Sequence, residues 1–195
     1  MFRIILTCGL LFLFSCKKDE CEGREYFEIF PSIKKAIPYT NSETINYNDS
    51  DGDSFSVNVN RVLEVTRPDI PFICDEVLTV FLREEANQIP FIEIVQRGST
   101  QDEDAIIQLT IFYNRDGNGN TAFIEINNDG SLSSFNGEPT FHNNIMLDGS
   151  EYDDVIEVTY ETSLDDDSIV QLFYNTSFGL LQYTTREGLT VDLER

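Results

Sequence analysis

The feature that most constrains this chain is a rhythm of short, alternating apolar and polar runs, each closed by turn-forming residues. Residues 54–60 (SFSVNVN) put Phe55, Val57 and Val59 on one face, the period-two pattern of a half-buried strand. Residues 106–113 (IIQLTIFY) and 121–127 (TAFIEIN) flank NRDGNG. Two β-rich runs around such a turn are a strong hairpin signal. Asp129-Gly130 and Asp148-Gly149 repeat the punctuation, and VIEVTY, SIVQLFY, LLQYTT and LTVDL follow at spacings that suit tight turns. Residues 77–83 (VLTVFLR) and 91–96 (FIEIVQ) read as two more strands, although 77–87 ends in helix formers. A short helix or turn fits 25–36, before Pro38 interrupts. The expected fold is all-β: an antiparallel meander forming a curved sheet or half-open barrel, with a two-sheet β-sandwich as the alternative. DGDSFSVNVNRVLEV at 51–65 and DGSEYDDVIEV at 148–158 echo each other weakly, as two hairpins would.

The start of the chain reads as an address. Arg3 precedes an apolar run from Ile4 to Phe14, then Ser15 and Cys16. A basic residue, a short apolar stretch and a small residue describe a secretory signal peptide. The run is too short for a membrane span, which needs about 20 apolar residues. The segment LFSC resembles the lipobox of bacterial lipoproteins, with Phe14 bulkier than that pattern usually has. The resemblance implies that residues 1–15 are removed and that Cys16 is lipidated. After it, Lys17 is followed by Lys18, Asp19 and Glu20, which resemble the export signal of surface lipoproteins in Bacteroidetes-type bacteria. That implies an outer-membrane lipoprotein facing the cell exterior, with a periplasm-facing one as the alternative. The expected organisation is a signal peptide at 1–15, a lipidated tether at 16–24 and one β domain at 25–195, with no linker to divide it.

The C-terminal third carries a second resemblance. YDDVIEVTYE followed by IVQLFYNTSFGLLQYTT is similar to the closing segment of many Bacteroidetes-type lipoproteins of unknown function. The matching positions are Tyr152, Val155, Tyr174, Gly179, Leu180 and Tyr183; the Trp common near the end of those chains is absent. The resemblance implies a β domain and no known activity. Physically, Gly179 suits a turn that needs positive φ, and the aromatics suit a half-buried sheet face.

Charge excludes some partners. The formal net charge is −22, from 35 acidic and 13 basic residues. Nucleic-acid binding rests on Lys and Arg neutralising phosphates, so it is not expected. Nor is charge-driven docking on anionic lipid, which leaves acyl chains as the link to a membrane. Fifteen Phe and 41% hydrophobic residues support a folded core. Of four cysteines, Cys8 leaves with the signal and Cys16 takes the lipid. Cys21 and Cys74 remain for a disulfide in an oxidising compartment, closing a loop worth roughly 4 kcal/mol in chain entropy.

Candidate chemistry is sparse. Residues 114–125 (NRDGNGNTAFIE) match the spacing of an EF-hand Ca²⁺ loop, but Asn114 replaces the usual first Asp and the flanks read as strands. Asp49, Asp51 and Asp53 around Gly52 are candidate Ca²⁺ ligands, against the plain reading of an exposed turn. Asp165, Asp166 and Asp167 read as a solvated loop. Asp167-Ser168-Ile169 resembles the O-glycosylation acceptor of Bacteroidetes-type secreted proteins, which would modify Ser168. His142 is the single histidine, so a multi-His zinc site is not possible, and a turn or edge-strand position is expected for it. No nucleophile elbow, phosphate loop or dinucleotide fingerprint is present. No catalytic residue and no resident cofactor are therefore expected, with Ca²⁺ the only candidate ion. The expected function is a lipid-anchored, non-enzymatic binding or structural module that holds a protein, glycan or lipid partner. The alternatives are a carrier of a lipid or small apolar ligand and, further off, a surface hydrolase.

Overall fold

The computed structural model describes residues 21–66, 73–84, 91–98, 105–112, 119–126, 132–134, 137–160 and 169–194. The N-terminal part holds β1 (Glu25–Phe27) and one short helix, α1 (Pro31–Lys35). Seven strands follow: β2 (Thr44–Asp49), β3 (Ser54–Thr66), β4 (Ile73–Arg83), β5 (Ile92–Arg97), β6 (Ala105–Phe112), β7 (Gly119–Ile126) and β8 (Leu132–Ser134). The rest comprises β9 (Glu138–Leu147), β10 (Ser150–Thr159), β11 (Ile169–Asn175), β12 (Gly179–Thr185) and β13 (Thr190–Leu193).

From β2 to β13, strands that follow one another in sequence pair antiparallel, with one exception between β8 and β9. The last strand then pairs with the first: Val191 opposes Asp49 and Leu193 opposes Tyr47. The result is a twelve-strand, nearly closed barrel whose one unsealed seam lies between β8 and β9. The expected antiparallel meander and half-open barrel are what the chain forms. The helix-prone stretch at 77–87 is strand through Arg83, because Leu78, Val80 and Leu82 alternate into the core and β3 and β5 pair on either side. The two echoing hairpins are the β2–β3 and β9–β10 turns.

Inward side chains alternate with period two: Val57 and Val59 on β3, Ile92 and Ile94 on β5, and Ile107, Leu109 and Ile111 on β6 are all buried in one cluster. A second cluster lies on the outer face of β9–β12, formed by Leu147, Tyr152, Val155, Phe173 and Leu181. Tyr152 and Val155 are an odd number of residues apart, yet both sit in it. Asp154, at φ 52°, shifts the alternation between them. On β11 and β12 the register slips at Phe173/Tyr174, which turns Leu181 outward while Leu180 and Tyr183 face in.

Residues 28–40 cross one mouth of the barrel as a strap. Ile29, Ala36, Ile37 and Tyr39 are buried in the main cluster, so the strap is part of the core. Cys21 and Cys74 form the expected disulfide, with Cα atoms 6.0 Å apart, and β1 pairs parallel with the start of β4 just beyond it. The strap ends against β12. There the Leu180 amide donates to the Tyr39 hydroxyl at 2.8 Å, beside Gly179 at φ +83°. A Cβ at Gly179 would collide with the Tyr39 hydroxyl. Gly179 is therefore required twice, for its backbone conformation and for the close approach. Gly179→Ala should lower stability by about 2–4 kcal/mol, the sum of left-handed strain and overpacking. Thermal unfolding by circular dichroism should show a drop of roughly 10 °C; a change within a degree would contradict this packing.

Candidate functional site

Two regions stand out: the strapped mouth and the seam. At the mouth, wall residues grip the strap's backbone. The Arg61 guanidinium on β3 donates to three carbonyls, those of Lys34 (3.1 Å), Ile37 (2.9 Å) and Tyr39 (2.8 Å). These carbonyls belong to the last turn of α1 and the residues just after it, where a short helix leaves acceptors unpaired. Glu76 on β4 accepts the Ile29 amide at 3.1 Å and the Lys34 ammonium at 2.7 Å. Partial burial alone would raise the Glu76 pKa, but the Lys34 ammonium and the Ile29 amide outweigh it and hold it below the usual carboxylate value. From the opposite wall, the Tyr174 hydroxyl donates to the Ala36 carbonyl at 2.7 Å. Outside the strap lies an open groove of about 250 Å³ between Tyr39, Asn46, Phe178 and Glu194.

At the seam, β9 pairs with β10 alone among the described strands. β8, three residues long, packs near β9 and β10 but forms no ladder with them. The register shows which groups of β9 face the gap. The Tyr160 amide donates to the Val170 carbonyl, so even residues of this stretch point their main chain at β11 and odd ones at β9. Glu157 opposes Thr140; Thr140 therefore points at β10, and Pro139 and Phe141 point at the gap. Pro139 thus sits where its missing N–H costs nothing, a position characteristic of an edge strand. Phe141 is 56% exposed and Met146 62%. Between Thr140 and Leu147 the strand carries no formal charge, so the usual protection of an edge by Lys or other charges is missing.

Inside the barrel, Gln96 faces inward, is 1% exposed, and both its amide atoms lack a hydrogen-bond partner within the protein. Register places Gln96, Ile107, Ile124 and Ser134 in one row across β5 to β8. The Ser134 hydroxyl at the other end of the row is likewise buried and unpartnered. Buried orphans of this kind are uncommon in proteins.

The sequence-derived candidates are dispersed. The signal segment 1–15, Cys16, the export residues Lys18, Asp19 and Glu20, the acidic residues 165–167 and Ser168 lie outside the described residues. In the β2–β3 turn, Asp49 Oδ1 accepts the amides of Asp51 (3.0 Å) and Asp53 (2.9 Å), so this carboxylate caps its own turn. Of the EF-hand-like stretch, residues 114–118 lie outside the described residues, and Glu125 on β7 accepts the Ser133 hydroxyl at 2.7 Å. No group of three His, Cys, Asp or Glu placed to hold a metal occurs among the described residues. His142 sits on the edge strand β9, its Nε2 2.7 Å from Glu157 Oε2. Glu157 also accepts the Gln171 amide at 2.6 Å. Among the described residues no helix is long and apolar enough to cross a membrane. Sequence reasoning missed Arg61, Glu76, Gln96 and the free edge of β9. An Arg within the alternating run at 61, and a Gln ending the apolar FIEIVQ run, were the only local signals.

No family model matches the chain. No curated protein and no solved structure matches it either.

The strapped mouth makes a pH prediction. Burial pushes the Tyr39 hydroxyl up to about 12, and raises Tyr47 and Tyr174 well above their ordinary value. The unfolded chain ionises its tyrosines near 10, while the folded chain resists. Stability should therefore be flat up to about pH 10 and fall as pH rises from there towards 12. Tyrosinate absorbance should lag behind free tyrosine and then rise together with loss of far-UV dichroism. Early titration with the fold intact would contradict the buried positions.

Proposed function

We propose that the protein is a lipid-anchored, non-enzymatic binding module of a Gram-negative envelope. The observation that carries this reading is the unsealed seam, which leaves the ten-residue strand β9 with one unpaired, largely uncharged edge. A barrel that spends its closure elsewhere and keeps such an edge open is suited to hold something there. The lipobox resemblance at Cys16 supplies the anchor. The five residues from Cys16 to Cys21 reach at most about 17 Å when extended, so the strapped mouth lies close to the membrane. The acidic surface resists adsorption to anionic lipid, which suits a domain held by acyl chains. The KKDE tether favours the outward-facing membrane surface.

A second reading, a carrier of a small apolar ligand with a polar head, is favoured by the orphaned Gln96–Ser134 row. In that reading a ligand group would satisfy the buried amide. Gln96→Leu should then raise the melting temperature of ligand-free protein, because it removes an unsatisfied buried group, and should weaken uptake of a fluorescent fatty alcohol. An unchanged affinity would remove the carrier reading.

The anchored reading is tested by intact mass and by protease shaving of whole cells. The native protein should start at Cys16 and carry acyl mass, and Cys16→Ser should release an unacylated chain from the membrane fraction. Peptides from residues 24–195 should be shed from intact cells. Unmodified Cys16 would overturn the anchor, and protection until lysis would turn the domain to the periplasm.

A further inference from the structure

We propose that the β9 edge takes an extended, basic segment of another protein as an added strand, closing the seam. This rests on the binding-module reading above and names its partner class. Three observations select that occupant. First, the main-chain groups of Phe141 face the gap with no ladder partner among the described strands, and main-chain pairing is what an added strand supplies. Second, Phe141 is exposed on this edge, so an apolar side chain of the incoming strand opposite it has a contact to make. Third, the adjoining hairpin is acidic: Glu138, Asp148, Glu151, Asp153, Asp154 and Glu157 fall within residues 138–159, which contain no Lys or Arg. Asn144 draws Glu151 (2.5 Å) and Asp153 (3.2 Å) to the middle of the edge. A basic side chain of the incoming strand, placed opposite Asn144, meets both carboxylates.

A second copy of this chain fits less well. It brings the same negative charge, and antiparallel pairing of β9 with its own copy points the two strapped mouths in opposite directions, which anchoring in one membrane forbids. An acidic or neutral segment lacks the charge match.

The test uses purified chain with its disulfide intact and a fluorescein-labelled peptide of roughly ten residues alternating Val and Lys, in about 150 mM salt to suppress loose charge attraction. Fluorescence anisotropy should rise saturably, and a Val/Glu peptide should not bind. Phe141→Pro removes a gap-facing N–H without breaking the β10 ladder, so it should weaken binding by roughly tenfold or more with little change in melting temperature. Met146→Lys keeps the backbone, adds a repelling charge, and should act in the same direction. The proposal is overturned if the Val/Lys peptide fails to saturate, if both peptides bind alike, or if both variants bind as the parent does. It is also overturned if light scattering shows a dimer that Phe141→Pro dissociates, since a second copy then owns the edge. Failure at Cys16 removes the anchor and leaves this test standing; failure here removes the partner class and leaves the anchor.

Discussion

The pairing of β13 with β2 governs the rest of the structure. A meander of sequential hairpins has two free edges, at its first and last strands. Here those two pair in register at Asp49, Asn48 and Tyr47, with the Ser50 amide donating to the Thr190 carbonyl and the Glu194 amide to the Asn46 carbonyl, which removes both edges at once. The sheet still breaks at one place, between two strands that are neighbours in sequence. The unpaired edge therefore lies in the middle of the chain, on β9, far from either terminus.

The strap makes this closure rigid at one mouth. A barrel of this many strands cannot be filled at its rim by wall side chains alone; residues 28–40 supply the missing apolar groups. Their carbonyls and amides would be stranded there without Arg61, Glu76 and Tyr174, since buried main-chain groups need partners. Apolar filling and polar satisfaction come from the same short segment. The C-terminal strands are shaped to receive it, with Gly179 giving way to Tyr39 and the Leu180 amide bonding to its hydroxyl.

Much of the wall was legible because β-strands advertise themselves by period two: SFSVNVN and FIEIVQ announce which residues face in. The disulfide was legible once the start of the chain was read as an address, which left Cys21 and Cys74 as the expected pair. The seam was not. Pairing partners are a tertiary matter, and TFHNNIML on β9 looks like any polar–apolar strand until its neighbour proves to be three residues long. The strap was hidden for a related reason: PSIKK shows no long periodic face, and its role depends on Arg61 and Tyr174, distant in sequence. The locking residues lie in runs whose pattern speaks of strand alone. Asp154 was misleading in a different way, since a left-handed residue inside a strand reverses the expected facing of everything before it.

The position of the disulfide has a mechanical consequence. Any pull on the residues ahead of Cys21 enters the domain at Cys74, at the head of β4, instead of peeling away the three-residue β1. β4 is flanked by β3, registered from Asn58 to Thr66, and by β5, registered from Ile92 to Arg97. Load along β4 is thus carried in shear by two ladders acting together, so many hydrogen bonds must yield at once. Force applied between β9 and the residues ahead of Cys21 would strain the wall of the barrel and leave its strap in place.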